Sequence, residues 1–290
     1  MKSSKKKKVS LNDIFSPSFW VKLSSQKEGK FSLFLKKDFW ELVASDYDEL
    51  EKTPFYKSMQ EDILLEMEKR GALKENFTFF DVACGTGNYT IKVAPKVSKV
   101  YALDISPSML EILRKKIKEK NLQNVEVIEA DWKKYKPEMN FDTVFVSMTP
   151  ILRDLKEVKR LFDVAKKFLI IVNWAGLRKN MLLEEIEKKF FKKNKGDKNP
   201  GILLIFNYFY TLGYPGDIKF YEGYFERKSS LEKIWKRFKF RLTSMGYHIG
   251  PKKEREILEF LREKENNGFI ETKTLVRIGA MFINKEKKEI

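Results

Sequence analysis

Between residues 77 and 172 the apolar positions fall into short runs separated by segments with helical spacing. Runs at 77–82, 99–103, 125–129, 143–147 and 168–172 have the length of strands. The stretches 88–95, 107–120 and 154–167 read as helices, and Met109, Leu113 and Ile117 make the stripe of a helix packed on a sheet. Strand and helix alternating at this rhythm predict βαβ units, a parallel sheet with helices on both faces. Ahead of this region Trp40, Val43, Ala44 and Tyr47 share one helical face. A second helix follows Pro54, with Met59, Ile63 and Met67 at four-residue intervals before Gly71.

Beyond Gly176 the rhythm breaks. A helix over 181–193 runs into the turn-rich "NKGDKNPG", and an aromatic stretch covers 202–224. Another helix carries Leu231, Ile234, Phe238, Leu242 and Met245 on one face, a further one lies near 254–264, and "TLVRIGAMFINK" reads as a closing strand. The expected organisation is a basic arm over 1–36, a Rossmann-like core over 37–180, an aromatic-rich insertion or cap over 181–250, and a helix and strand over 251–290 that complete the sheet. No internal repeat is present.

Composition narrows the chemistry. The 290 residues are 42% hydrophobic and include 24 Phe, which suits a globular protein. Cys84 and His248 are the only residues of their kinds, so an internal disulfide and most His/Cys metal sites are excluded and a Ser-His-Asp triad is disfavoured. No metal is expected, and a reducing cytoplasmic location fits. The basic start lacks the apolar run of a signal peptide, and the most apolar window, from Ile202, is short and interrupted by Asn207, so no membrane partner is expected. The net charge of +17 invites a nucleic-acid reading, but only 11 of 58 basic residues are arginine, and lysine is spread among glutamates throughout.

The candidate chemistry lies in "FFDVACGTGNYT", 79–90, where a strand meets two glycines that allow close backbone approach to a ligand. In a parallel open sheet ligands bind at the carboxyl ends of the strands, and Asp104 ends the next strand. A P-loop needs a Lys-Ser/Thr pair after its last glycine, whereas Asn88 and Tyr89 follow Gly87. A dinucleotide fingerprint needs a third glycine where Thr90 stands. The third reading is S-adenosylmethionine, which has a ribose and an amino-acid tail but no pyrophosphate.

"DVACGTGNYT", "ALDISPSML", "IEADW" and "FDTVFVSMTP" resemble, in order and spacing, the motifs of class I S-adenosylmethionine-dependent methyltransferases of the small-molecule type. The resemblance covers about residues 37 to 172. Ala83 stands where that family has glycine, and "FWELVASDYDEL" is similar to the segment the family closes over its cofactor. The resemblance implies a doubly wound, mostly parallel seven-stranded α/β sheet, with S-adenosylmethionine as cofactor and S-adenosyl-L-homocysteine as product. It implies that Asp81, Ala83, Cys84, Gly85 and Gly87 surround the methionine part and that Asp104 holds the ribose. Ile105 and Met109 would lie beside the adenine, Asp131 and Trp132 at its amino edge and face. Ser147 and Met148 would line the floor where the methyl points, and Tyr47 would come from the N-terminal helix. Cys84 reads as a small packing residue rather than a nucleophile.

A sulfonium is already an activated leaving group, so alignment supplies much of the acceleration and no catalytic residue is named. Absences inform more about the acceptor. No second cysteine is available for cytosine-C5 chemistry, "SMTP" does not match the Asp/Asn-Pro-Pro-aromatic stretch of adenine amino methylation, and the two glutamates of arginine methylation are missing there. The expected acceptor is therefore a small molecule, with Trp174, Asn207, Tyr210 and Tyr214 as candidate contacts. Tyr208, Tyr221 and Tyr224 are further aromatics of the same insertion. "KIWKRFKFR", 233–241, reads as an amphipathic helix with a solvated basic face. Glu222 and Glu226 on a possible strand could act as a base or a cation contact. Two other readings stand beside this one: an RNA methyltransferase that uses the basic arm, and a cofactor-binding protein without turnover.

Overall fold

A computed structural model describes residues 11–25, 52–192 and 200–287. The helix expected around Trp40 and Tyr47, and most of the basic arm, lie outside the described residues. Within them, helices α1 (Leu11–Ile14) and α2 (Pro17–Ser25) precede α3 (Pro54–Lys69). The core follows as β1 (Thr78–Val82), α4 (Thr90–Val93), β2 (Lys99–Asp104), α5 (Pro107–Glu119), β3 (Val125–Glu129), β4 (Phe141–Ser147), α6 (Leu155–Val164) and β5 (Ala165–Asn180). The later part comprises α7 (Met181–Phe191), α8 (Ile202–Thr211), β6 (Asp217–Ser229), α9 (Leu231–Ser244), α10 (Pro251–Arg262) and β7 (Ile270–Asn284).

Local chemistry sets these boundaries. Pro54 opens α3, where a proline without an N–H loses nothing, and Gly71 at φ +72° ends it. Ser106 caps α5 by accepting the Met109 amide, and Asn180 caps α7 by accepting that of Leu183 at 2.9 Å. Met59, Ile63 and Met67 are buried as their spacing predicts.

Among the described residues seven strands form one sheet in the order β3-β2-β1-β4-β5-β7-β6. β1 to β5 pair in parallel, and β7 runs antiparallel between β5 and β6. This is the doubly wound sheet with helices on both faces that the alternation predicts. One face buries Phe79, Phe145, Ile170 and Ile278 against α3 and α4. The other buries Phe80, Val144, Leu169 and Ile171 against α6 and α8, with Trp20, Val21 and Leu23 of α2 packed onto the same cluster. Burial of each such side chain contributes about 1.5–3 kcal/mol.

The stretch 181–250, expected as a cap, divides between two locations. α8 lies on the sheet, contributing Ile202, Ile205 and Phe209 to its core, and β6 is a sheet strand paired with β7 over its whole length. α7, α9 and α10 gather instead around a separate apolar cluster that includes Ile186, Ile234, Leu242 and Ile257. Ile234, Trp235 and Phe238 of the basic-aromatic helix are buried there, so the Trp235 and Phe238 rings are not available for stacking on bases. β5, β6 and β7, with 16, 13 and 15 residues, outrun the five or six residues of β1, β2 and β3. Among the described residues no helix is long and apolar enough to cross a membrane.

Candidate functional site

Successive strands step from β1 outward to β3 on one side and from β4 to β5 on the other, so the order reverses between β1 and β4. At that reversal two loops diverge and leave a crevice at the carboxyl ends of the strands. An open cleft of about 750 Å³, counting the solvent at its mouth, occupies this position.

The glycine loop forms one wall. The Cys84 amide donates to the Leu103 carbonyl at 2.9 Å, and the Gly85 amide donates to Asp104 Oδ2 at 2.8 Å. Asp104 Oδ1 accepts the Ser106 amide at 2.9 Å. The buried Asp104 carboxylate thus ties the loop after β1 to the loop after β2. Each of its oxygens has two lone pairs, so the same carboxylate can still accept hydroxyl donors from the cleft.

Ala83, at φ +58°, and Met148, at φ +53°, are held in left-handed backbone and both line the cleft. Such strain in a non-glycine residue marks a site whose backbone is dictated by more than local preference. Gly85 and Gly87 also have positive φ, at +56° and +78°. A Cβ on Gly87 would lie 2.2 Å from Leu113 Cδ1, so this glycine serves the contact with α5 rather than the cleft.

Behind the wall, Asp81 is 3% exposed and accepts the Thr90 hydroxyl at 2.5 Å. Burial pushes its carboxyl up to about 7, the Thr90 bond opposing and the Asp104 charge reinforcing the shift. Desolvation, with the charges of Asp81 and Asp104, pushes the Cys84 thiol well above its ordinary range. A thiol so held is a poor nucleophile, in line with a packing role. Asn88 holds the loop to its surroundings, its carbonyl accepting Gln60 Nε2 at 3.2 Å and its side-chain oxygen accepting Lys116 Nζ at 2.7 Å.

The opposite wall is the turn after β3. Trp132 is 2% exposed and at once belongs to the core beside Phe80 and lines the cleft. The Arg160 guanidinium of α6 lies 4.7 Å from its ring centroid and donates to the Trp132 and Tyr135 carbonyls, the latter at 2.9 Å.

Nine of the predicted cofactor residues meet around this one cleft: Ala83, Gly85, Asp104, Ile105, Met109, Asp131, Trp132, Ser147 and Met148. Asp81, Cys84 and Gly87 stand behind its surface, and Tyr47 lies outside the described residues. The predicted acceptor contacts on α8 and just beyond it are not on the wall. Asn207 donates to the Leu203 carbonyl, Tyr210 is 52% exposed, and Tyr214 packs edge-on against Phe162 at 4.8 Å. The reason is that α8 is required to cover the sheet, which commits its aromatics to that layer. Glu222 and Glu226 lie on the exposed face of β6 and pair with Arg277 and Lys273 across the ladder. Lys133, Thr149, Pro150 and Ile151 line the cleft without having been predicted. Thr149 and Pro150 carry a readable signal, a capping residue before a proline that opens a helical turn; the exposed Lys133 carries none.

Residues 79–169 match the family model described as a methyltransferase domain. The chain is 31% identical over 112 residues to a demethylmenaquinone methyltransferase of Geobacillus sp. (strain WCH70), covering 37% of this chain and 46% of that protein. It is 33% identical over 98 residues to malonyl-[acyl-carrier protein] O-methyltransferase 2 of Ilyobacter polytropus, covering 33% of this chain and 36% of that protein. The chain thus spans less than half the length of these curated relatives. Among solved structures, an N-methyltransferase from Bradyrhizobium japonicum WM9, in complex with S-adenosyl-L-homocysteine, aligns with a TM-score of 0.49 and 13% identity. That alignment covers 86% of this chain and 98% of that one.

Proposed function

We propose that this chain, whose residues 79–169 match the methyltransferase-domain model, is a class I S-adenosylmethionine-dependent methyltransferase and that it transfers a methyl group to a small-molecule acceptor. One observation carries the reading: nine residues predicted to hold the cofactor line a single cleft at the strand-order reversal.

The donor set fits this cofactor and suits a phosphate poorly. Asp104 and Asp131 stand at or just beyond the ends of β2 and β3 and line the cleft, which favours a ligand bearing a sulfonium and an ammonium over a pyrophosphate. Asp104 would accept the ribose hydroxyls, Trp132, Ile105 and Met109 would hold the adenine, and the Ala83–Gly85 backbone would face the methionine part. Bound there, the cofactor supplies a methyl carbon on a positively charged sulfur, which leaves as a neutral thioether. The acceptor heteroatom forms the new bond to that carbon while the sulfur keeps the electrons of the broken one. Any proton on the acceptor passes to solvent or to a base. Ser147 and Met148 at the end of β4 would set the angle of approach, and alignment of this kind can contribute several kcal/mol.

Calorimetry with S-adenosylmethionine tests the cofactor assignment, and absence of binding at millimolar concentration overturns it. Incubation with methyl-labelled cofactor and a cell extract separates an enzyme from a sensor. The expected result is label in the small-molecule fraction; label in RNA would redirect the acceptor class, and no transfer would favour a binding protein.

A further inference from the structure

Met148 lines the cleft and also packs onto the apolar cluster beneath α3, the same cluster that Phe55, Tyr56 and Trp174 pack onto and that contains Phe225. Phe55 and Tyr56 come from the first turn of α3, Trp174 from β5 and Phe225 from β6. Their centroids lie 5.6, 6.4 and 6.3 Å from Phe225 for Phe55, Tyr56 and Trp174 respectively. Phe225 is buried, whereas Phe55, Tyr56 and Trp174 are only half-buried and keep accessible surface. In the strand order, β5 and β6 stand on the opposite side of β4 from β2. Trp174 and Phe225 therefore lie on the side of β4 away from Asp104.

The backbone is shaped for them. A Cβ on Gly223 would fall 2.3 Å from Phe55 Cδ2, so the absence of a side chain on β6 is what lets that ring lie on the sheet. The Arg178 guanidinium lies 4.3 Å from the Trp174 centroid, which places a cation against that ring and disfavours a second one.

Building on the methyltransferase reading above, we propose that these rings form the acceptor site and that the acceptor is a planar, uncharged aromatic molecule. Offset and edge-to-face ring contacts reward a flat π-system over a saturated ring of equal size. In the transfer, a lone pair of the acceptor's edge heteroatom bonds to the methyl carbon as the sulfur–carbon bond breaks. The electron pair goes to sulfur and the acceptor's proton to water.

The test uses the full chain saturated with S-adenosyl-L-homocysteine and calorimetric titration of three probes: 2-naphthol, its saturated analogue decahydro-2-naphthol, and the cation of 2-naphthylmethylamine. The naphthol is expected to bind about tenfold more tightly than either of the others, as one or two ring contacts would give. Trp174→Leu should remove that preference while changing the affinity for S-adenosyl-L-homocysteine by less than about twofold. Tyr56→Leu serves as the second variant should circular dichroism show Trp174→Leu unfolded. Equal binding of the saturated analogue, tighter binding of the cation, or a preference that survives substitution of these rings overturns the proposal. Failure of S-adenosyl-L-homocysteine itself to bind would overturn the cofactor reading instead, and the first titration distinguishes the two.

Discussion

The Gly85 amide donates to Asp104 Oδ2 across 2.8 Å, joining the loop after β1 to the end of β2 through a buried charge. A hydrogen bond to a charged acceptor contributes about 1.5–3 kcal/mol. Asp104→Ala should therefore lower stability by about 2 kcal/mol, through the stranded Gly85 and Ser106 amides. It should also weaken cofactor binding at least about tenfold, since the ribose acceptor is lost with it. Urea denaturation and calorimetry on the same variant check the two effects separately.

Gly87 is constrained by both conformation and contact. Gly87→Ala should cost about 3 kcal/mol, combining a left-handed alanine with the overlap on Leu113. In the double variant with Leu113→Ala the losses should total less than the sum of the single ones, because the clash is then absent. Strict additivity would show that the backbone conformation alone sets the requirement.

Ala83 offers the opposite case. Its φ of +58° is one that glycine adopts without strain, so Ala83→Gly should raise stability by up to about 1 kcal/mol. Thermal denaturation measures it, and a loss of stability would mean that the methyl contributes packing that outweighs the strain.

Asp81 links stability to pH. Its carboxyl is raised in the folded chain from 3.8 to about 7, by burial first and the Asp104 charge in addition. Below pH of about 4 both states carry the proton, and between about 4 and 7 only the folded state keeps it. Stability from this group therefore falls as pH rises through that window and levels off above it. Asp81→Asn keeps an acceptor for Thr90 and removes the charge. The variant should gain on the natural chain as pH is raised from 5 to 8, by urea denaturation, and a constant difference would refute the assignment.

The strands and helices that were legible in the sequence share a cause: β1 to β5 and the helices between them repeat one alternation of apolar runs. Asp104 could be placed because it ends the second of these strands, whereas Asp131 and Ser147 were placed through the resemblance of "IEADW" and "FDTVFVSMTP" to the family's motifs. The α8 segment was harder because "ILLIFNYFYT" is apolar nearly all round, so its aromatics gave no period to separate sheet cover from pocket lining. β6 was obscured by its own surroundings. Its exposed face alternates the aromatics Phe220 and Tyr224 with Glu222 and Glu226, which pair with Arg277 and Lys273 of β7, and such a face carries little of the signature of a buried strand. Phe55 and Tyr56 could not be joined to Trp174 and Phe225 before the sheet order was known, since chain distance gives no hint of the contact.

The position of β7 between β5 and β6 has a consequence for synthesis. Thr78 pairs with Lys99, a separation of 21 residues, whereas Phe168 pairs with Asn284, a separation of 116. The half of the sheet that carries Asp104 can close over short loops while translation continues. The half that carries Trp174 and Phe225 cannot close until residues 270–284 have left the ribosome, and until then β5 presents an open edge. Vectorial folding would thus complete the glycine-loop half first and leave the ring-bearing half as the late, aggregation-exposed step.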